Sequence, residues 1–404
     1  MVLTAKPYTQ GKITVISGPV KSGKTEEVEG YLDALVDSGY KNGSNVQVVR
    51  HSHDDKDPEH IGKHKVTVTD LVDEIYETIN PHTRTVIIVG ASHYKDTNII
   101  ELADSIVRSN RNLIISGLNL DSNGIPHDYM PALMGLADEV ILSKAICSMP
   151  RCGYTESNRS ILEQEKYIAR CTHHFHCQDS PPISETDRGS LELFLGPMYS
   201  AKSTRWKRKL QKLQAAGLKP LVFRWTNDAR YGEEKTELFE PGNIMLHSGE
   251  KIPAITIGDA EDIQTYLKEY PANREIFFDE TQFMKGIYNL SFKLLAKGYH
   301  IYATGLPRGF NRKPFNDVPK LMCLADTINM NYANCVVCFD PASDNQRMKK
   351  IGERKTHAHI DDPLVAVGGT ENQQVQYFYE ARCLKDWKLL GEPENKFHLE
   401  RYSL

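Results

Sequence analysis

The sequence predicts an α/β protein built from two tandem copies of one domain, each a doubly wound parallel sheet fronted by a phosphate loop. Three observations carry this. First, "SGPVKSGKT" at Ser17–Thr25 is followed far downstream by "LGPMYSAKST" at Leu195–Thr204. Second, Gly117–Cys147 and Gly305–Cys335 are both 31 residues long and align without a gap around a shared P-x-L-M-x-L-A-D centre. Third, apolar strand-like runs alternate with helical spacing in both halves, the pattern of a parallel sheet with crossover helices.

The elements repeat in order. "KITVISG" and "LELFLG" are expected strands entering glycine turns, and "TEEVEGYLDALVDSG" and "STRWKRKLQKLQAAG" the helices that follow. "VQVVRH" and "PLVFRW" read as second strands, "TVIIVG" and "EIFFDE" as third, "NLIISGL" and "HIYATGL" as fourth. Late in each copy "KYIARCTHH" matches "FYEARCLKD". The expected domains are 1–178 and 190–404, joined by a polar, proline-containing linker at 179–189.

Composition bounds the function. At 404 residues, 40% hydrophobic, 25% charged and net charge −4, the chain is an ordinary globular protein without a global pull toward nucleic acid or anionic membranes. No apolar run approaches the roughly 20 residues that span a bilayer, and the first residues lack the apolar core of a signal peptide. A cytoplasmic setting without a membrane or nucleic-acid partner is therefore expected. The basic helix "TRWKRKLQK" is read as a solvated face. Seven of the eight cysteines fall in two groups, which in a reducing compartment indicates metal ligands.

A phosphate loop wraps phosphates with backbone N–H groups and the positive end of its helix. Lysine neutralises the outer phosphates, and Ser or Thr binds Mg²⁺. The second loop offers Gly196, Pro197, Met198, Ser200, Lys202, Ser203 and Thr204, with Ala201 where the pattern has glycine. Downstream, "EIFFDETQF" ends a strand on Asp279 and Glu280. A strand-end aspartate beside such a loop commonly organises Mg²⁺, and an adjacent glutamate suits a general base.

With these residues in place, the second half resembles the thymidine kinase family. The resemblance rests on "GPMYSAKST", "FRWTNDARY", "HSGEKIPA", "FFDETQF", "GLPRGFNRKPF", "PKLMCLAD", "CVVC" and "VGG…Y-x3-C". It implies a P-loop (RecA-like) fold with a small zinc-ribbon and lasso subdomain in each copy. It implies transfer of the ATP γ-phosphate to the 5′-hydroxyl of deoxythymidine or deoxyuridine, with Glu280 as base. Lys202 and Ser203 then meet ATP and Mg²⁺, with Asp279 and Gln282 close by. Asp228 and Arg230 fall near the acceptor; Met198, Phe283, Leu306 and Phe310 surround the base; Val367, Gly368, Gly369 and Tyr379 form the lasso. A structural Zn²⁺ is implied on Cys335, Cys338, Cys383 and Asp386, with His357 or His359 as alternatives to the aspartate. The family's usual tetramer implies that fused pairs dimerise.

The first half keeps Gly18, Ser22, Gly23, Lys24 and Thr25 of an intact nucleotide loop. Compared from its aromatic end, the third-strand block sets Gly90 against Asp279, Ala91 against Glu280 and His93 against Gln282, so both acids are missing. Its metal pattern is fuller, with Cys147, Cys152, Cys171 and His174. The expectation is a catalytic second half and a pseudokinase first half with a structural or nucleotide-binding role. The competing reading is an inactive nucleotide-binding regulator.

Overall fold

The computed structural model describes residues 10–54, 59–225, 241–245, 249–269, 273–365 and 375–402. Its core is two parallel sheets. The first runs Thr67–Val68, Val46–Arg50, Thr85–Val89, Asn112–Leu118, Ile13–Gly18, Glu139–Leu142, with every pairing parallel. The second runs Lys251–Ile257, Leu221–Trp225, Glu275–Phe278, His300–Gly305, Ser190–Leu195, Thr327–Met330 in the same sense. An antiparallel edge strand, Pro241–Met245, extends it. Each phosphate-loop strand therefore lies inside its sheet, buried on both faces, which is why it reads as an unbroken apolar run. Each copy ends in a small antiparallel ribbon, Arg159–Glu163 with Lys166–Arg170, or Asp344–Ile351 with Arg354–His357 and Gln376–Arg382. Among the described residues no helix is long and apolar enough to cross a membrane.

The two sheets meet through equivalent elements. Helix Met130–Leu136 packs on helix Val318–Leu324, each started by a proline in its first turn. Met130, Leu133 and Met134 join Val318, Leu321 and Met322 in one core that spans both copies. At the sheet edges Lys144 Nζ donates to Asp326 O at 2.6 Å, and Tyr332 Oη donates to Asp138 O at 2.6 Å. Lys144 and Tyr332 are equivalent positions of the repeat, as are the two aspartates. The junction is thus pseudo-isologous, as in a two-fold dimer.

Departures from symmetry lock it. Arg308 is fully buried and donates to the carbonyls of Gly135, Leu136 and Ala137, while its Nε meets Asp344 Oδ1 at 2.7 Å. Arg159 and Asn158 reach back from the first half to Leu324 O and Ala325 O.

The last residues, expected to belong with the second copy, lie on the first. Phe397 is buried; Ser105 Oγ donates to its carbonyl at 2.5 Å, Arg111 to Glu400 O at 2.7 Å and Tyr402 N to Ser109 O at 2.8 Å.

Breaking a buried ion pair from one side leaves an uncompensated charge, at a cost of about 3–5 kcal/mol. Arg308→Ala is expected to lower stability by that order in urea unfolding. An unchanged midpoint would show that the junction does not depend on this cluster.

Candidate active site

Each phosphate loop begins where a strand meets a glycine that cannot be replaced. A Cβ on Gly196, at φ 148°, would stand 2.4 Å from Asn331 O, and one on Gly18 would stand 2.3 Å from Ser143 O. Both loops are tied to their own ribbons: Met198 N donates to Asn345 Oδ1 at 2.8 Å and Val20 N to Ser160 Oγ at 3.0 Å. Ser200 Oγ is buried with no hydrogen-bond partner among the described residues, which suits a loop that receives phosphate oxygens. Lys202 Nζ reaches Pro197 O at 3.4 Å, and Lys24 Nζ reaches Pro19 O at 2.6 Å. Burial pulls the Lys24 ammonium down to about 8, against the opposing pull of Asp54 and Glu26. Ser203, Thr204 and Thr25 follow in the first helical turns, and Ser22 sits within hydrogen-bond reach of Lys24.

The missing glycine leaves the turn of the loop in place. Ala201 caps its helix at φ 59°, ψ 18°, and Gly23 caps the other at φ 81°, ψ 16°. A Cβ on Gly23 would meet no atom within 4 Å. The methyl group therefore fits, and the price is a left-handed backbone, roughly 1–2 kcal/mol.

Beside the second loop, Asp279 and Glu280 leave the end of strand Glu275–Phe278, both nearly buried. Thr304 organises them: its hydroxyl donates to Asp279 Oδ1 at 2.7 Å and accepts the Glu280 amide at 3.0 Å. Gln282, expected among the nucleotide contacts, donates to Glu280 Oε2 and accepts Leu306 N at 3.1 Å. Glu280 takes φ 52°, ψ 50°. A non-glycine residue in that region stores strain, commonly where function demands it.

The expected base contacts separate into two groups. Phe283 stacks on Trp225 at 4.7 Å between centroids and meets Phe315 edge-on at 5.8 Å; Met198 and Leu306 are half-buried. Phe310 and Tyr379 belong to the ribbon side. Arg347 lies 3.8 Å over the Phe310 ring and donates to Tyr379 Oη at 2.9 Å and Leu364 O at 2.6 Å. Trp225, Phe315 and Arg347 escaped the sequence reading, although Trp225 closes a second strand and Phe315 lies inside the 31-residue repeat. Asp228, Arg230, Val367, Gly368 and Gly369 lie outside the described residues.

In the first half the alignment shifts by one residue. Val89 pairs with Ser116 as Phe278 pairs with Ala303, one step earlier on both strands. Leu118 N bonds Ser92 Oγ at 3.2 Å, where Leu306 N bonds Gln282. So Val89 matches Asp279, Gly90 matches Glu280, Ser92 matches Gln282 and His93 matches Phe283, which replaces the earlier pairing of Gly90 with Asp279. Gly90 keeps the left-handed turn at φ 78°, and both acids remain absent. The space is refilled: a Cβ on Gly90 would stand 2.8 Å from Asp54 Cβ, whose carboxylate is held by Arg50 Nε at 3.0 Å.

Each ribbon gathers a metal-ligand set whose donor atoms lie within 4.8 Å of one another: Cys147, Cys152, Cys171 and His174, and Cys335, Cys338, Cys383 and Asp386. His174 presents Nδ1 to Cys171 Sγ at 3.3 Å, and its Nε2 faces Ser180 O at 3.2 Å, the partner that fixes the tautomer of a ligating imidazole. In the second set Asp386 Oδ2 is 3.3 Å from both Cys335 and Cys383 Sγ. His359 instead pairs with Asp361, and His357 sits in a strand opposite Met348.

Residues 11–175 and again residues 189–387 match the thymidine kinase family. The chain belongs to the thymidine kinase family. It is therefore a kinase, a phosphotransferase that uses ATP and Mg²⁺ with thymidine as acceptor. The phosphate loops, with Lys202 and Ser203 in one and Lys24 and Thr25 in the other, fit that cofactor pair; when bound, Mg²⁺ supplies charge neutralisation at the transferred phosphate.

Ala201→Gly is expected to raise stability by about 1 kcal/mol in denaturant unfolding, with the KM for ATP within about three-fold of wild type. A large fall in KM would mean that the methyl group obstructs phosphate.

Proposed function

We propose that catalysis resides in the second copy, 190–404, and that the first, 1–178, is a pseudokinase joined to it by 179–189. The observation that carries this is the contrast at the third strand end. In the second half it delivers Asp279 and Glu280, positioned by Thr304 and Gln282; in the first it delivers Val89 and Gly90.

Glu280 is the general base. Its carboxylate accepts the proton of the deoxythymidine 5′-hydroxyl (deoxyuridine is the alternative acceptor) as that oxygen bonds to the γ-phosphorus of ATP and the bond from that phosphorus to the β,γ-bridging oxygen breaks, releasing ADP. Lys202 holds the outer phosphates, Ser203 and Asp279 lie on the metal side, and the loop amides fix the line of attack. Positioning and charge neutralisation carry most of the rate in such transfers. The Trp225–Phe283 stack and Phe315 offer flat apolar surface to the base, with Met198 and Leu306 at its margin. Asp228, Arg230 and the lasso residues Val367, Gly368, Gly369 and Tyr379 complete the acceptor end on the strength of family resemblance.

The first half binds nucleotide through its intact loop or serves as the fixed partner of the second. Each ribbon holds a structural Zn²⁺, with Asp386 as the unusual fourth ligand in the second. Two chains pair through their remaining surfaces, so that four domains assemble.

The test is ATP-dependent phosphorylation of deoxythymidine. Glu280→Gln is expected to lower kcat by about 10²–10⁴-fold with the KM for ATP little changed. Lys202→Ala is expected to abolish turnover, and Lys24→Ala to leave most of it. Turnover that survives Glu280→Gln but vanishes in Lys24→Ala would move catalysis to the first half.

A further inference from the structure

The kinase reading leaves one substitution pattern unexplained. Trp225, Phe283 and Phe315 meet at the carboxyl end of the second sheet. The first half carries a histidine at all three equivalent places. His51 follows Arg50 as Trp225 follows Arg224, His93 takes the place of Phe283 by strand register, and His127 takes that of Phe315 within the gapless repeat. His51 and His93 keep the pairing of the rings they replace, with centroids 5.4 Å apart. Exchanging three apolar rings for imidazoles removes a surface suited to a flat base and supplies nitrogen lone pairs instead.

Further donors stand beside them. One ligand atom from each of His51, His53 and Asp70 lies within 4.8 Å of the others. His51 Nδ1 is 3.3 Å from Asp70 Oδ1. Two ligands of a four-coordinate ion with bonds of about 2.0–2.2 Å stand roughly 3.4 Å apart, so this pair is spaced to share one. Both Asp70 oxygens are oriented from behind, by Ser52 N at 2.8 Å and Ser52 Oγ at 2.8 Å, the outer support that ligating carboxylates usually have.

We propose that the first half binds a divalent transition-metal ion of the Zn²⁺ class on His51, His53 and Asp70, where the second half presents its aromatic rings. Imidazole with one carboxylate suits Zn²⁺ or Co²⁺ and not Mg²⁺, which takes oxygen ligands. The carboxylate in the set selects a cation over an anion. No thiol takes part, which separates this site from both ribbons. An ion at Nδ1 displaces the 3.2 Å bond that His51 accepts from the His53 amide. His51 is buried while His53 and Asp70 are exposed, so one side of the ion faces solvent, as in open rather than closed zinc sites. The inference does not depend on which half is catalytic.

Titration of the full chain, its ribbons first loaded with Zn²⁺, with Co²⁺ followed in the visible spectrum tests it. The expected result is one saturable ion per chain with weak d–d bands and no thiolate-to-cobalt charge transfer, the signature that an ion in either ribbon would add. In the double variant His53→Ala/Asp70→Asn, confirmed as folded by circular dichroism, affinity for that ion is expected to fall about 100-fold or more. Charge-transfer bands alone, no saturable d–d band, or unchanged affinity in the double variant would each overturn the proposal.

Discussion

Arg308 is the contact on which the two-copy architecture turns. A guanidinium buried between two domains needs acceptors in a fixed fork, and it finds them on both sides: three carbonyls at the end of a first-half helix and the Asp344 carboxylate at the root of the second ribbon. The carbonyls are there because the helix Met130–Leu136 stops at Ala137 in extended conformation, leaving its last turn unsatisfied. One side chain thereby caps a helix of the first half and holds the root of the second ribbon. The same helix end leads into Asp138, whose carboxylate receives Ile13 N at the start of the phosphate-loop strand. Errors at the junction would be felt at the loop.

That arrangement separates what must be kept from what may drift. The buried junction ties the shapes of both copies together, so the first half retains its sheet, helices and ribbon ligands. Its third-strand end, where Ala91 and Tyr94 join the same core, nonetheless differs in its polar groups. There Val89 and Gly90 stand for two acids, Asp54 fills the vacated space, and histidines replace aromatic rings. The left-handed turn persists through the change. Glu280 bears strain to hold a carboxylate in it; Gly90 needs none.

How much of this could be read from the sequence follows the range of the interactions involved. The strands, the helices and both phosphate loops were legible because burial on two faces and glycine turns leave local marks. The third-strand register was misread by one residue because the two blocks differ in length, and only the pairing of Val89 with Ser116 fixes it. The cysteines of each half were legible as two groups, whereas the fourth ligand of the second set came only with the family resemblance, and the ribbon brings Asp386 rather than His357 or His359 to Cys335. Trp225 and Phe315 look like ordinary core residues; what distinguishes them is a meeting on Phe283 that no local pattern encodes. The final segment, polar and without periodicity, gives no sign that it crosses to the other copy.

That crossing has a consequence for how the molecule is made. The helix Asn98–Arg108 is synthesised well before Phe397, so the surface that receives Phe397 stays uncovered until the second half has followed. Domains generally fold in order as they emerge, but here the first of the two is completed by residues that come after the second. Completion of the first half therefore waits on synthesis of the second.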